Sequence, residues 1–254
     1  MIDSLGDRMK EYEYSTRYFL PRRSYTIIRI DGKAFHTYTK GLKRPFDTGF
    51  IKDMDNTAIY LCKNIQNAKF AYVQSDEISI VLSDFDEINT EAWFGNNLQK
   101  MCSVSASMAT CYFNNQRVVR HLSELDNLIG SQLTPTKWAE FDARIFQIPQ
   151  LVEVHNYFVW RQQDCVRNSI SSVAQSLYSA KELHKKSSSE KQEMIFKKGI
   201  NWNDYDPKLK RGRGIIKTSI IKETSIRSKW ESVGVPTFTS NTEFISGILT
   251  RRQV

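Results

Sequence analysis

Residues 25–40 read YTIIRIDGKAFHTYTK, and residues 69–85 read KFAYVQSDEISIVLSDF. The first is an apolar run, residues 25–30, that stops at a carboxylate, Asp31. The second holds two apolar runs, residues 70–73 and 78–82, parted by Gln74, Ser75, Asp76 and Glu77. Short runs of β-branched and aromatic residues with polar borders read as strands. The second stretch therefore predicts a hairpin, although its turn lacks the usual Asn-Gly or Asp-Gly.

Between the two stretches, residues 47–66 carry Phe50, Met54, Ala58 and Leu61 at helical spacing, with Asp47 or Thr48 as the cap. Residues 93–113 predict a second helix, rich in Ala and Ser and suited to close packing on a sheet. FDARIFQIP, residues 141–149, predicts a further strand closed by a proline. The order strand, helix, hairpin, helix, strand is that of a split βαβ, ferredoxin-like unit. It is also the order of a polymerase or cyclase palm. The expected class is α+β, with a palm over residues 1–150. A more helical, basic extension over residues 151–254 is expected to pack on it as one compact unit.

Within that extension, residues 153–181 predict one or two helices. KELHKKSSSEKQE, residues 181–193, predicts an exposed loop or helix end. Basic KLKRGRG, residues 208–214, leads into IIKTSII. From about Thr224 onward, Trp230, Phe238 and Phe244 suggest order against the body. Upstream of the first strand, Ser4 can cap a helix with Leu5, Met9 and Tyr12 on one face.

The chain has 254 residues, of which 40% are hydrophobic, so a sizeable core can form. Its formal charge of +8 suits a polyanionic partner, and equally a merely basic enzyme. The start has no apolar stretch preceded by basic residues, which reads as a mature cytosolic terminus and a cytoplasmic protein. No segment has the apolar length of a membrane span. The four cysteines form no C-x-x-C pair and the four histidines are scattered. Neither structural zinc nor a disulfide framework is supported.

In a split βαβ sheet the first strand and the hairpin can be neighbours. Asp31, Asp76 and Glu77 would then converge at one end of the sheet. Crowded carboxylates repel unless a cation neutralises them. Hard oxygen donors without His or Cys point to Mg²⁺ or Mn²⁺. Gly32 would let the backbone approach an ion or phosphate, and Lys33 to His36 could wrap a triphosphate. Taken singly, a strand-end Asp is more often a turn former or helix cap, and Asp-Glu in a hairpin is usually a solvated turn.

RIDGKAFHTY with YVQSDEISIVL resembles the tRNA(His) guanylyltransferase superfamily, 3′-to-5′ polymerases that add nucleotides to RNA 5′ ends. FDARIFQIP, YFVWRQQDCVRNSI and EKQEMIFKKGINWND match further, in the family's order, so the resemblance spans roughly residues 5–217. It implies a palm, two Mg²⁺ ions, GTP and other nucleoside triphosphates as substrates, and ATP for activating 5′-monophosphate ends. It also implies a homotetramer, a dimer of dimers, with tRNA spanning subunits. By the same resemblance, Asp31 and Asp76 are the shared metal ligands and the carbonyl of Gly32 is another. Glu77 is an acidic residue needed for activity. Lys33, Ala34, Phe35, His36 and Ser75 hold the nucleotide. Arg44 and Lys100 meet phosphates, and Arg144 is the arginine of F-D-x-R. The basic run Lys208, Lys210, Arg211 and Arg213 is a candidate RNA contact, or else a solvated basic strand.

One departure bears on specificity. Dedicated eukaryotic members carry H-I-N-N-L-Y-N after D-C, whereas this chain has VRNSISS, residues 166–172, keeping only Asn168. That places it with the guanylyltransferase-like branch, which favours templated addition and 5′-end repair over the untemplated G of tRNA(His). Two rival readings remain. A nucleotide cyclase shares the palm carboxylates but not W-R-Q-Q-D-C. A non-catalytic tRNA-binding protein, holding RNA through KLKRGRG and Arg22-Arg23, would not need Asp31, Asp76 and Glu77.

Overall fold

A computed structural model describes residues 4–125, 137–222 and 225–250. In chain order the elements are α1 (Leu5–Tyr14), β1 (Tyr25–Gly32), α2 (Phe35–Tyr38), α3 (Thr48–Asn64), β2 (Ala68–Gln74) and β3 (Glu77–Leu82). Then follow α4 (Leu98–Leu125), β4 (Phe141–Ile148), α5 (Leu151–Leu177), α6 (Ala180–Leu183), α7 (Ser188–Lys197) and α8 (Pro207–Lys210). Last come β5 (Arg213–Lys222), β6 (Ser225–Gly234) and α9 (Glu243–Thr250). The strands form one antiparallel sheet of six in the order β4-β1-β3-β2-β5-β6.

Strand alternation sends two sets of side chains to opposite faces. Ile28, Ile30, Val73, Ile78 and Ile80 pack under α3 and α4 with Met54, Ala58, Leu61 and Phe113. Ile27, Phe70, Tyr72 and Val81 pack on the other face with Val154 and Phe158 of α5 and Ile245 of α9. Each such buried side chain contributes about 1.5–3 kcal/mol. Asp47 caps α3, its Oδ1 accepting from the Phe50 N–H at 2.8 Å. Ser4 caps α1, yet α1 buries none of its residues, and Leu5, Met9 and Tyr12 stay exposed. No described helix is long and apolar enough to cross a membrane.

Several expectations need correction. The helix expected from Trp93 is broken: Phe94 and Gly95 have φ of 51° and 59°, so a 3₁₀ turn precedes α4. Residues 181–193, expected as an exposed loop or helix end, hold the end of α6, a short connection at residues 184–187 and the start of α7. Ser179 and Ser187 each close a capping box, with Glu182 and Glu190, and start α6 and α7. The C-terminal half is not only helical, because β5 joins the sheet through Ala71–Ile215, Tyr72–Gly214 and Val73–Arg213 pairs. Gly212, at φ 77°, makes that junction possible, since a Cβ there would meet the Tyr72 ring at 2.6–2.7 Å. Trp230, Phe238 and Phe244 do pack against the body, while Thr224 lies outside the described residues.

Candidate active site

β1 ends between β3 and β4, so Asp31 is paired in register with Glu77 on one side and Asp142 on the other. Arg29 lies two residues back from Asp31, paired with Ser79 and Arg144. With a period of two, Arg29, Asp31, Glu77, Ser79, Asp142 and Arg144 all point to the α5 face. The Gly32 N–H donates to the Asp76 carbonyl at 3.2 Å, which ties β1 to the hairpin turn. That turn is two residues long, and Ser75 sits at φ 45°. A non-glycine residue rarely adopts such a backbone, and strain of this kind gathers at functional sites.

Asp76 is the perturbed acid here. Burial pushes its carboxyl above the ordinary value, and Asp31 and Glu77 push it further, against a hydrogen bond from Ser75. Glu77 is buried and fully compensated. Arg161 of α5 donates to it twice, Nε to Oε1 at 2.8 Å and Nη2 to Oε2 at 2.6 Å. Among the described residues, Asp31 and Asp76 have no ion-pair partner. Nor do any three His, Cys, Asp or Glu side chains there converge as a metal-holding group, and Glu77 is turned to Arg161. The donor set that remains, two uncompensated carboxylates beside backbone oxygens, fits a hard divalent cation.

The other expected residues divide. Lys33 is exposed and ion-paired with Glu140 at 2.5 Å, which raises its ammonium pKa. Ala34 is left-handed at φ 55° and starts α2, and His36 is exposed beside Thr37. Phe35 is a core aromatic, its ring 4.7 Å from Tyr38 and 5.1 Å from Phe141. The need for glycine at position 32 comes from that ring, since a Cβ would meet it at 2.3–2.6 Å. Arg44 is exposed on the loop before α3. Lys100 stands in the first turn of α4, its ammonium 5.0 Å over the Phe94 ring. Thr110, which accepts from the N–H of Phe141 beside Gly32, lies ten residues along that helix, or about 15 Å. Lys100 is therefore not gathered with the carboxylates.

The basic run also divides. Lys208 is exposed and Arg211 half-buried. Lys210 and Arg213 are buried, and as surface RNA contacts they are withdrawn. Lys210 Nζ donates to the Asn203 carbonyl at 2.5 Å, and Arg213 Nε to Asp55 Oδ1 at 2.5 Å. Arg22 is likewise engaged with Asp84, and Arg23 with the Glu87 and Ile88 carbonyls. Arg144 is exposed and 3.8 Å from Asp142. Two residues had no assigned role in the sequence reading. Arg29 was legible as the position two before Asp31, and its buried Nε has no partner. Arg161 was legible only as part of W-R-Q-Q-D-C.

A cavity of about 130 Å³ opens beside Ser75, walled by Phe46, Phe50, Asn168, Ser172, Gln74 and Arg213 among others. Gln74 Oε1 and Arg213 Nη2 are buried there without partners. An engineered cavity of about 150 Å³ holds a benzene ring. The space suits one heteroaromatic ring, with a donor and an acceptor left to meet its edge.

Comparison with known proteins agrees with this geometry. Residues 6–149 match the family model described as tRNAHis guanylyltransferase. The chain is 30% identical to the tRNA(His) guanylyltransferase of Debaryomyces hansenii, over 85% of this chain and 82% of that one. It is 29% identical to that of Schizosaccharomyces pombe, over 92% and 88%. Among solved structures, it superposes with a TM-score of 0.85 on a bacterial tRNA(His) guanylyltransferase (Thg1)-like protein in complex with ATP. The two are 41% identical over 97% of this chain and 99% of that one.

Proposed function

The chain belongs to the tRNA(His) guanylyltransferase family, and from that premise we propose that it adds nucleotides to the 5′ end of tRNA, choosing each by pairing with the opposing base. The observation that carries the reaction is the uncompensated pair Asp31 and Asp76 at the end of β1 and the hairpin turn. The strands β4-β1-β3-β2 then serve as a polymerase-like palm. Asp31, Asp76 and the Gly32 carbonyl would hold two Mg²⁺ ions, which when bound supply charge neutralisation at phosphate and a more acidic attacking hydroxyl.

The chain's own residues position and exclude. Arg29 and Arg144 face the same side as Asp31 and offer cationic groups to a triphosphate. The cavity beside Ser75 takes a base, with Gln74 and Arg213 at its edge. Glu77 is held away by Arg161. The 3′-hydroxyl oxygen of the incoming nucleotide loses its proton and bonds to the α-phosphorus at the RNA 5′ end, and pyrophosphate leaves. A 5′-monophosphate end first takes AMP from ATP, releasing pyrophosphate; the 3′-hydroxyl then attacks the 5′-phosphate of the RNA, and AMP leaves. Catalysis of this kind is positioning and electrostatics.

Templated 5′-end repair is supported by VRNSISS at residues 166–172, and by 41% identity to the bacterial Thg1-like protein. The reading as a dedicated tRNA(His) guanylyltransferase is supported by the names of the fungal relatives. A cytoplasmic homotetramer is part of the proposal, and the uncovered stripe Leu5, Met9 and Tyr12 on α1 supports assembly. The test is a matrix of four incoming nucleotides against four opposing bases, on 5′-triphosphorylated tRNA lacking one nucleotide. G opposite C and U opposite A are expected to dominate. G opposite all four bases would establish the tRNA(His) reading instead.

A further inference from the structure

Glu77 is held from several sides. Arg161 donates to both of its oxygens, Ser79 Oγ donates at 3.2 Å, and Gln74 Nε2 donates at 3.4 Å. Arg161 is fixed in turn. Its Nη2 also donates to Asp164 Oδ2 at 2.9 Å, and its guanidinium lies 4.3 Å over the Trp160 ring. Asp164 takes a further bond from Arg167 at 2.9 Å, and Ser79 shares a 2.7 Å bond with Tyr157. Both members of the Glu77–Arg161 pair have side chains only 8% exposed.

A planar guanidinium meets a carboxylate through two parallel bonds in one orientation, so this pair sets a direction as well as a charge. Glu77 follows Asp76 directly and stands across from Asp31. Without Arg161, three carboxylates, Glu77 buried and Asp31 and Asp76 half-buried, would crowd one end of the sheet, and Glu77 would be free to swing toward any cation there. We propose that Arg161 is a positioning residue: it withdraws Glu77 from the cation site and fixes the Ser75–Asp76 turn, so that Asp31 and Asp76 are the carboxylates presented to the metal. This rests on the reading of Asp31 and Asp76 as metal ligands given above.

The test is direct Mn²⁺ binding to the nucleotide-free protein, followed by electron paramagnetic resonance, so that no RNA chemistry enters the readout. Arg161→Gln is expected to weaken Mn²⁺ binding about 10–100-fold, the range for groups that orient ligands without touching metal. Arg161→Lys should fall between, because an ammonium keeps the charge and loses the parallel bonds. Glu77→Gln combined with Arg161→Gln should be no weaker than Arg161→Gln by itself, since the two act as one unit. Mn²⁺ affinity within twofold of the unmodified protein in Arg161→Gln would overturn the proposal. So would a double variant whose loss equals the product of the two single losses. Should Arg161→Gln fail to fold, Arg161→Lys, which keeps the charge beside Glu77, carries the test by itself: weakened binding supports the assignment and unchanged binding overturns it. Arg161-dependent Mn²⁺ binding in a protein that adds no nucleotide to RNA would count against the proposed function and leave this assignment standing.

Discussion

Asp31 and Glu77 are register partners on β1 and β3, yet of the two only Glu77 has an ion-pair partner among the described residues. That asymmetry separates two carboxylates of one cluster into different jobs. The compensated one is held by Arg161, and the uncompensated one, with Asp76, is left to meet something positive.

Arg29 and Arg144 are expected to act on the RNA end. They are register partners one step back from Asp31, and the Arg29 Nε is buried without a partner. Each charge-assisted contact contributes about 1.5–3 kcal/mol. Arg29→Ala and Arg144→Ala should each lower kcat/KM for 5′-triphosphorylated RNA by roughly 10–150-fold, the range those energies span. Steady-state kinetics on that substrate checks this, with an unchanged melting curve for the exposed Arg144 variant.

The basic run should split in the same way that its burial does. Arg213→Ala would leave Asp55 with only Ser232 Oγ, at 2.7 Å, among the described residues and should cost about 3–5 kcal/mol of stability. Lys208→Ala should leave stability unchanged. If Lys208 meets tRNA phosphate, its loss lowers the salt dependence of binding by roughly 0.9 in log–log slope. Urea titration of the first variant and tRNA titrations at several salt concentrations for the second measure the two effects separately.

Thiol chemistry should report the cores. Burial pushes the Cys165 thiol up to about 11, and burial also raises that of Cys62, whereas Cys111 is exposed. A maleimide at pH 8 should label Cys111 first and reach Cys165 and Cys62 only on unfolding, as mass spectrometry would show. The linkage has a definite sign. Cys165 is held protonated in the folded chain and ionises near pH 8.5 in the unfolded one. Its contribution to stability is full below that pH and is lost as pH rises toward about 11.

Much of this arrangement was legible in the chain itself. The strands ending at Asp31 and flanking Ser75–Asp76 stood out because buried strands are short apolar runs with polar borders. Asp47 and Ser4 are caps whose bonds are local. The capping boxes at Ser179 and Ser187 are equally local, as S-x-x-E spacings, but the polar residues around them give no apolar period to mark a helix. The break at Phe94 and Gly95 has no periodic signature. Arg213 looked like a surface charge because its partner, Asp55, is 158 positions away. The bond from Arg161 to Glu77 spans 84 positions and depends on α5 crossing the sheet, which spacing cannot express.

The central claim is that Asp31 and Asp76 carry the reaction. The measurement is incorporation of labelled GTP into a 5′-triphosphorylated tRNA that lacks its first nucleotide opposite C, by unmodified protein, Asp31→Asn and Asp76→Asn at ordinary Mg²⁺. Each variant should lose more than ~100-fold in rate, beyond the loss for a group that only orients a ligand. Folding should be retained, and Asp76→Asn should melt no lower than the unmodified protein, since it removes a carboxylate crowded by Asp31 and Glu77. Incorporation by either folded variant at the unmodified rate would contradict the account.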